Sequence, residues 1–343
     1  YIKKLPFVVF SLPEKNSITA LFQKNGESHK IENLTSNNGF VFAPFDYNGT
    51  ALFIPESDSE IFEIKSDFAE IDTSAYTITR SQSEKNRYFK LLNAALETIK
   101  RRKAEKIVIS RQKDFPLKSF SFGLLLKRLF SSNPNAFRYI WFHPESGLWC
   151  GATPETLVQI ENNSFKTMAL AATQPATNRQ PILWGPKELD EQQLVTDAIT
   201  NSLQRVTSVL KISNPHTHRA GSLLHLRTDI MGIVKNGKAT LSTIVAALHP
   251  TPAICGTPQK YAKEFIITNE GYDREFYTGF LGPIRENGTS ATVMVNLRCM
   301  KIEANTARIF GGGGITLGSQ PEDEWQETQN KMQTMLQVLQ PML

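Results

Sequence analysis

Over the first 80 residues, short apolar runs (FVVFSL, ITALF, GFVFAPF, TALFIP) alternate with polar stretches that carry Asn25-Gly26, Asn38-Gly39 and Asn48-Gly49. Asn-Gly suits the positive φ angles of tight hairpin turns, so this pattern predicts short antiparallel strands. From about residue 86 the period changes. In NRYFKLLNAALETIKRRKA, the positions Tyr88, Leu91, Leu92, Ala95, Leu96 and Ile99 recur at helical spacing, and KIVISR follows at once as a strand. Further helices are expected at 119–131, 187–210, 239–248, 258–269 and 321–340, with strands at FRYIWF, TLVQI, YTGFLGPI and ATVMVNLRCMKI. The last two face each other across Asn287-Gly288, a strong hairpin signal.

Strands arrive in hairpins and runs instead of strict strand–helix–strand alternation. The expected class is therefore α+β, with large, mainly antiparallel sheets packed as a sandwich and flanked by helices. No linker or low-complexity stretch divides the chain. The expected organisation is a β-rich supporting segment at 1–85 and a core at 86–343, together one continuous unit.

Composition narrows the classes. The chain has 343 residues and 40% hydrophobic content, enough for a sizeable core. Cys150, Cys255 and Cys299 are far apart with no metal-binding spacing, which argues against a disulfide framework or a zinc site and suits a reducing cytoplasm. No apolar stretch is long enough to span a bilayer, and the opening turns polar too soon for a signal peptide. The net charge of +5 is scattered apart from KRRK at 100–103, which reads as a solvated helix end. A basic stripe interleaved with aromatics is missing, so neither nucleic acid nor membrane is an expected partner.

Candidate chemistry begins with acids. Glu188 and Glu191 stand three apart in GPKELDEQQLV, and Glu324 and Glu327 repeat that spacing in SQPEDEWQETQNK. Each pair shares one helix face. Either pair alone is explained by a favourable interaction with the helix dipole. Both together, if they converge, ask for a hard cation, and Mg²⁺ is the natural choice because it takes a few carboxylates and leaves positions for a ligand oxygen.

The second helix has an apparent capping box, Ser319 to Glu322, with Pro321 in its first turn. Ahead of it runs FGGGGITLG. Read as a strand-to-helix connection, these glycines expose backbone N–H groups that can hold a carboxylate or phosphate. Arg298 in VNLRCMKI falls, by period-two alternation, opposite Val293, Val295 and Leu297, on a face free to meet a ligand. Lys331 lies four residues after Glu327 and suits either a helical ion pair or an anionic substrate.

Taken together, KIVISR, GATPETLV, ALAAT, KELDEQQLV, LLHLRTDIMG, LHPTPAICGTP, DREFYTGFLGP, NLRC and GGGGITLGSQPEDEWQETQNK resemble, in order and approximate spacing, the chorismate-utilising enzymes. That family includes isochorismate, salicylate and aminodeoxychorismate synthases and anthranilate synthase component I, and the resemblance implies the latter's fold. Ala253 in LHPTPA and Ala171 in ALAAT make the chain most similar to the isochorismate branch, since alanine at 171 supplies no nucleophile.

The resemblance implies Lys106 as the base that deprotonates water attacking ring carbon C2, and Glu155 as the acid that protonates the departing C4 hydroxyl. It implies Glu191 and Glu327 as Mg²⁺ ligands, with Glu188 and Glu324 reaching the ion directly or through water. Gly312 and Gly314 would offer backbone donors to a carboxylate, Tyr277, Arg298 and Lys331 would hold the enolpyruvyl carboxylate, and His225 would line the pocket. His249 would shape its loop.

The family often has Glu-His where Glu191-Gln192 stands, and often Gly at Ala172. The implied enzyme is an Mg²⁺-dependent isomerase, cytoplasmic, monomeric and without an amidotransferase subunit. A pyruvate-eliminating salicylate synthase, an anthranilate synthase and a silent binding subunit are the alternatives. Menaquinone and siderophore synthesis would use the same chemistry.

Overall fold

Two antiparallel sheets lie face to face in the computed structural model, which describes residues 4–35, 37–65, 75–79, 81–176, 182–220, 223–235 and 240–343. One sheet has nine strands and the other ten, and every strand pairing among the described residues is antiparallel. The N-terminal strands are woven into both. Phe7–Ser11 pairs with Phe137–His143 in the nine-stranded sheet, and Gly39–Ala43 pairs with Phe280–Arg285 in the ten-stranded sheet.

The space between the sheets is filled by aromatics contributed from both sides. Phe10, Phe137, Tyr139, Trp141 and Trp149 come from one sheet, and Phe40, Phe42, Leu281 and Met294 from the other. Strand Phe137–His143 is buried at all seven positions because both of its faces are covered, which is why it reads as a continuous apolar run. Each such ring contributes about 1.5–3 kcal/mol by leaving water.

Six α-helices cover the outer faces among the described residues: α1 (Gln82–Lys100), α2 (Phe122–Ser131), α3 (Pro186–Leu203), α4 (Leu241–Leu248), α5 (Gln259–Asn269) and α6 (Pro321–Leu339). Helices α3 and α4 pack Val195, Ile199, Leu203, Ile244 and Val245 on the ten-stranded sheet. Helices α2 and α6 pack Leu125, Leu129, Met332, Met335 and Leu336 on the nine-stranded sheet. None of them is long and apolar enough to cross a membrane.

Several expectations are corrected. Helix α1 begins at Gln82, capped by the Ser81 hydroxyl, so a boundary at 85 falls inside it. Helix α3 ends at Leu203 and not at 210. Thr207–Ile212 is instead an edge strand on Leu223–Val234, carrying the β-branched Thr207, Val209 and Ile212 that favour strand. Residue 239, expected to open α4, lies outside the described residues. Ser319 does not cap α6. The N-cap is Gln320, and the Ser319 hydroxyl accepts from the Thr316 N–H in the preceding turn.

The run ATVMVNLRCMKI is two strands, not one. Ser290–Val295 belongs to the ten-stranded sheet and Cys299–Glu303 to the nine-stranded one, and the chain crosses between them at 296–298. Asn296 is buried at this crossing. Its Oδ1 accepts from the Tyr139 hydroxyl at 2.7 Å and its Nδ2 donates to Phe276 O at 2.8 Å. A matching crossing, in the opposite direction, occurs at Pro154-Glu155, between Gly147–Thr153 and Thr156–Glu161.

Candidate active site

Both crossings open on one cavity, walled also by Lys106, by the glycine strand and by the starts of α3 and α6. It gathers ten of the twelve sequence candidates: Lys106, Glu155, Glu191, His225, Tyr277, Arg298, Gly312, Gly314, Glu327 and Lys331. The other two, Glu188 and Glu324, do not line it. Glu188 is occupied at the helix start, where its Oε2 accepts from the Gly185 N–H at 2.9 Å and caps α3. Glu324 is buried just behind the glycine strand.

The glycine run is a strand and not a connection. Thr306–Ile315 pairs along its length with Lys106–Pro116, setting Gly314 opposite Val108 and Gly312 opposite Ser110. The N–H and C=O of a residue in an antiparallel strand point to the same edge. Lys331 Nζ donates to Gly312 O at 2.9 Å, so Gly312, and by the period of two Gly314, direct their N–H groups to that cavity edge.

Side chains are excluded here for a spatial reason. A Cβ on Gly314 would lie 2.6 Å from Lys106 Cε and 3.0 Å from Glu191 Oε1, and one on Gly313 would lie 3.0 Å from Glu324 Oε2. The glycines let the two acidic helix starts approach one strand from either side.

Each acid holds an ammonium group. Lys106 Nζ is 2.8 Å from Glu191 Oε1, Lys331 Nζ is 2.5 Å from Glu327 Oε1, and Lys187 Nζ is 3.5 Å from Glu324 Oε1. The other Glu324 oxygen, Oε2, is buried with no hydrogen-bond partner. Burial, then the charges of Glu327 and Glu191 among its neighbours, push the Glu324 carboxyl upward. Ser319 and Lys187 act against that rise, yet Oε2 itself has no hydrogen-bond partner among the described residues, and such an oxygen beside two further carboxylates fits a hard divalent cation.

Glu191, Glu324 and Glu327 do not bring ligand oxygens mutually within 4.8 Å of one another. Among the described residues the single trio of metal-ligating type with ligand atoms mutually within 4.8 Å is Glu27, His29 and Asp58, beside the edge strand His29–Ile31.

Glu155 is 3% exposed, and burial pushes its carboxyl up to about 7, against the opposing pull of Lys106, Lys331 and Arg298. Its Oε1 accepts from Thr251 Oγ1 at 3.5 Å, a contact supplied by the LHPTPA segment. Arg298 sits at the second crossing with φ 47°, not on a regular strand face, so alternation did not determine where it points. Burial lowers its guanidinium to about 10, while Glu327, Tyr277 and Glu155 pull the other way. Tyr277 stacks on Phe310 with ring centroids 5.0 Å apart, and burial raises its hydroxyl.

His225 is held neutral, its value lowered to about 3 by burial and by Arg298 and Lys331. His249 lies outside the cavity lining and bonds Phe45 O at 3.0 Å, tying its loop to the N-terminal segment.

Sequence reasoning missed Lys187, Thr251 and the role of Gln192. Lys187 sits beside Glu188 with nothing in its spacing to single it out. Gln192 was visible only as a departure from Glu-His. In the structure it is buried, and its amide bonds the strand that carries Ala171 and Ala172.

The site is therefore a cavity with a cationic wall for carboxylates, a buried acid of raised pKa facing a lysine, and an acidic corner. The sequence model for chorismate binding enzymes matches residues 51–340. Isochorismate synthase EntC of Escherichia coli K12 is 30% identical over 349 residues, covering 95% of this chain and 86% of that protein. The crystal structure of DhbC from Bacillus anthracis, assigned as a 2,3-dihydroxybenzoate-specific isochorismate synthase, superposes with a TM-score of 0.84 at 27% identity, over 98% of this chain and 97% of that one. Anthranilate synthase component I of Streptococcus pneumoniae, at 18% identity, shares the fold with a TM-score of 0.69 over 91% of this chain and 81% of its own. By this match over most of its length, the chain belongs to the chorismate binding enzyme family.

Proposed function

We propose that this protein is an isochorismate synthase, an isomerase that moves the hydroxyl of chorismate from C4 to C2. The observation that carries this reading is the pairing of a buried Glu155, its carboxyl pushed up to about 7, with the buried Lys106 across one cavity whose wall also presents Arg298 and Lys331.

Lys106 takes a proton from the water whose oxygen bonds to C2. The ring double bonds shift, the C4–O bond breaks, and Glu155 gives its proton to the departing hydroxyl, which leaves as water. Atoms balance, since one water enters and one leaves. The bond to Glu191 determines where the Lys106 nitrogen sits, and Glu155 comes from the crossing at Pro154-Glu155. Arg298 and Lys331 suit the enolpyruvyl carboxylate, because both carry donors and neither can accept. The N–H groups of Gly312 and Gly314 suit the ring carboxylate. Ala171 offers no amine or thiol to form a covalent adduct.

Glu191, Glu324 and Glu327 would hold Mg²⁺, with Glu188 within one turn of α3 behind them. When bound, Mg²⁺ supplies charge neutralisation for a dianionic substrate.

The test is incubation of the pure chain with chorismate and Mg²⁺, with and without EDTA, followed by chromatography. Isochorismate formed only in the presence of free Mg²⁺ is the expected product. Its absence excludes the reading. Accumulating salicylate and pyruvate would mark a salicylate synthase, and anthranilate formed with ammonia would mark that branch instead.

A further inference from the structure

Gln192 follows Glu191 on α3, but its side chain is buried against the ten-stranded sheet. Its Oε1 accepts from the Ala171 N–H at 3.0 Å, and its Nε2 donates to Ala169 O and to Thr228 Oγ1, each at 3.0 Å. These bonds hold the strands immediately before a bulge, where the register of Ser164–Pro175 against Leu223–Val234 slips between Ala171 and Thr173. The extra residue is Ala172, whose φ of 55° lies in the left-handed region that a Cβ disfavours. A bulge re-aims the groups beside it, and this one needs holding.

What the bulge aims is a carbonyl. Ala172 O lies 3.0 Å from His225 Nδ1. A carbonyl oxygen only accepts, so Nδ1 carries the hydrogen, and the Thr173 hydroxyl 3.2 Å from the same nitrogen can turn to accept as well. In a neutral ring, Nε2 is then a bare acceptor. It is buried, lacks any hydrogen-bond partner among the described residues, and belongs to a residue that lines the cavity.

The cavity's other polar side chains are of different kinds. Lys331 and Arg298 only donate, which suits carboxylates, Lys106 is the base proposed above, and Glu155 has its carboxyl pushed up to about 7 by burial. A substrate hydroxyl needs an acceptor for its hydrogen, and Nε2 of His225 supplies one.

We propose that Gln192 is a positioning residue: through the bulge at Ala172 it fixes His225 as the Nδ1–H tautomer and so presents Nε2 as a neutral acceptor to a hydroxyl of the substrate. A glutamine suits the task because its amide accepts from one backbone group while donating to two others. A neutral imidazole at position 192 would offer one donor and one acceptor. The choice of a hydroxylated ligand rests on the function proposed above, but the tautomer does not.

The test uses the full chain labelled with ¹⁵N-histidine, the His225 signals being assigned by their loss in His225→Gln. Long-range proton–nitrogen spectra are expected to show Nδ1 protonated and Nε2 bare in the unaltered protein. In Gln192→Ala, both tautomers are expected, and the KM for chorismate rises roughly tenfold, as for one lost hydrogen bond, with kcat little changed. Adding Ala172→Gly removes the disfavoured Cβ and is expected to recover most of that loss.

A protonated Nε2 in the unaltered protein overturns the proposal. So does a folded Gln192→Ala chain with the tautomer and KM both unchanged. If Gln192→Ala does not fold, Gln192→Glu, which keeps the acceptor and loses both donors, is read in the same way. The spectra need no turnover, so failure to form isochorismate would remove the functional reading and leave the tautomer result to be judged by itself.

Discussion

Lys106 and Glu191, 85 positions apart in the chain, meet in a 2.8 Å bond at the cavity wall. Lys106 is 2% exposed, and the bond holds its nitrogen in one place on the cavity wall. The arrangement separates two roles, counter-ion to Glu191 and base toward water, that substitution can tell apart. Lys106→Arg keeps the positive charge but cannot accept a proton. Both Lys106→Ala and Lys106→Arg are expected to lower kcat about 1,000-fold, within the usual range for losing a general base. An arginine variant retaining a tenth of the activity would show that only the charge matters.

Glu155 should govern the alkaline side of the rate profile. Its carboxyl is pushed up to about 7 by burial, and the proposed acid works only when protonated, so kcat is expected to fall as pH rises through about 7.

Stability follows the same proton. A carboxyl raised on folding favours the folded state below its unfolded range, and that contribution is lost as pH rises through the folded value. Glu155→Gln is therefore expected to abolish turnover, to leave stability near pH 4 unchanged, and to stabilise the chain near pH 8.5 by up to about 3 kcal/mol, measured by denaturant melts at both values.

The acidic corner can be read by calorimetry without turnover. Glu327→Gln and Glu324→Gln are each expected to weaken Mg²⁺ binding by about tenfold or more, since few protein carboxylates hold such an ion. Lys187→Met takes away the ammonium 3.5 Å from Glu324 Oε1, and is expected to tighten Mg²⁺ binding several-fold. Unchanged affinity in all three variants would place the metal elsewhere.

Gly314→Ala should damage the site with little effect on the fold. The new Cβ would meet Lys106 Cε at 2.6 Å and Glu191 Oε1 at 3.0 Å, displacing the pair. A loss of about 100-fold in kcat is expected, in line with a misplaced catalytic group. Gly318→Ala is the matched control, because its Cβ would meet the Lys187 side chain at 3.5 Å and beyond, an ordinary contact.

How far the sequence spoke can be judged at particular residues. The paired glutamates, the glycine run and the buried apolar strands were legible because each is a local pattern. Glu191 and Glu327 do reach one cavity, but Glu188, indistinguishable from them by spacing, is taken up by the Gly185 N–H. Arg298 looked like one more position on an alternating strand, whereas the chain changes sheets there and the residue adopts φ 47°. Glu155 gave no hint of its raised carboxyl, which comes from burial between two sheets.

The sequence by itself determined where helices and strands form and which residue types were available for chemistry, because period, turn residues and side-chain identity act over a few neighbours. Only the tertiary structure decided which acid caps a helix, which carboxyl is pushed up by burial, and which histidine nitrogen is left bare. Those properties depend on desolvation and on contacts between residues far apart in the chain, such as Ala172 with His225 and Lys106 with Glu191. No local pattern encodes such distances. They exist once two sheets have packed and the chain has crossed between them at Glu155 and Arg298.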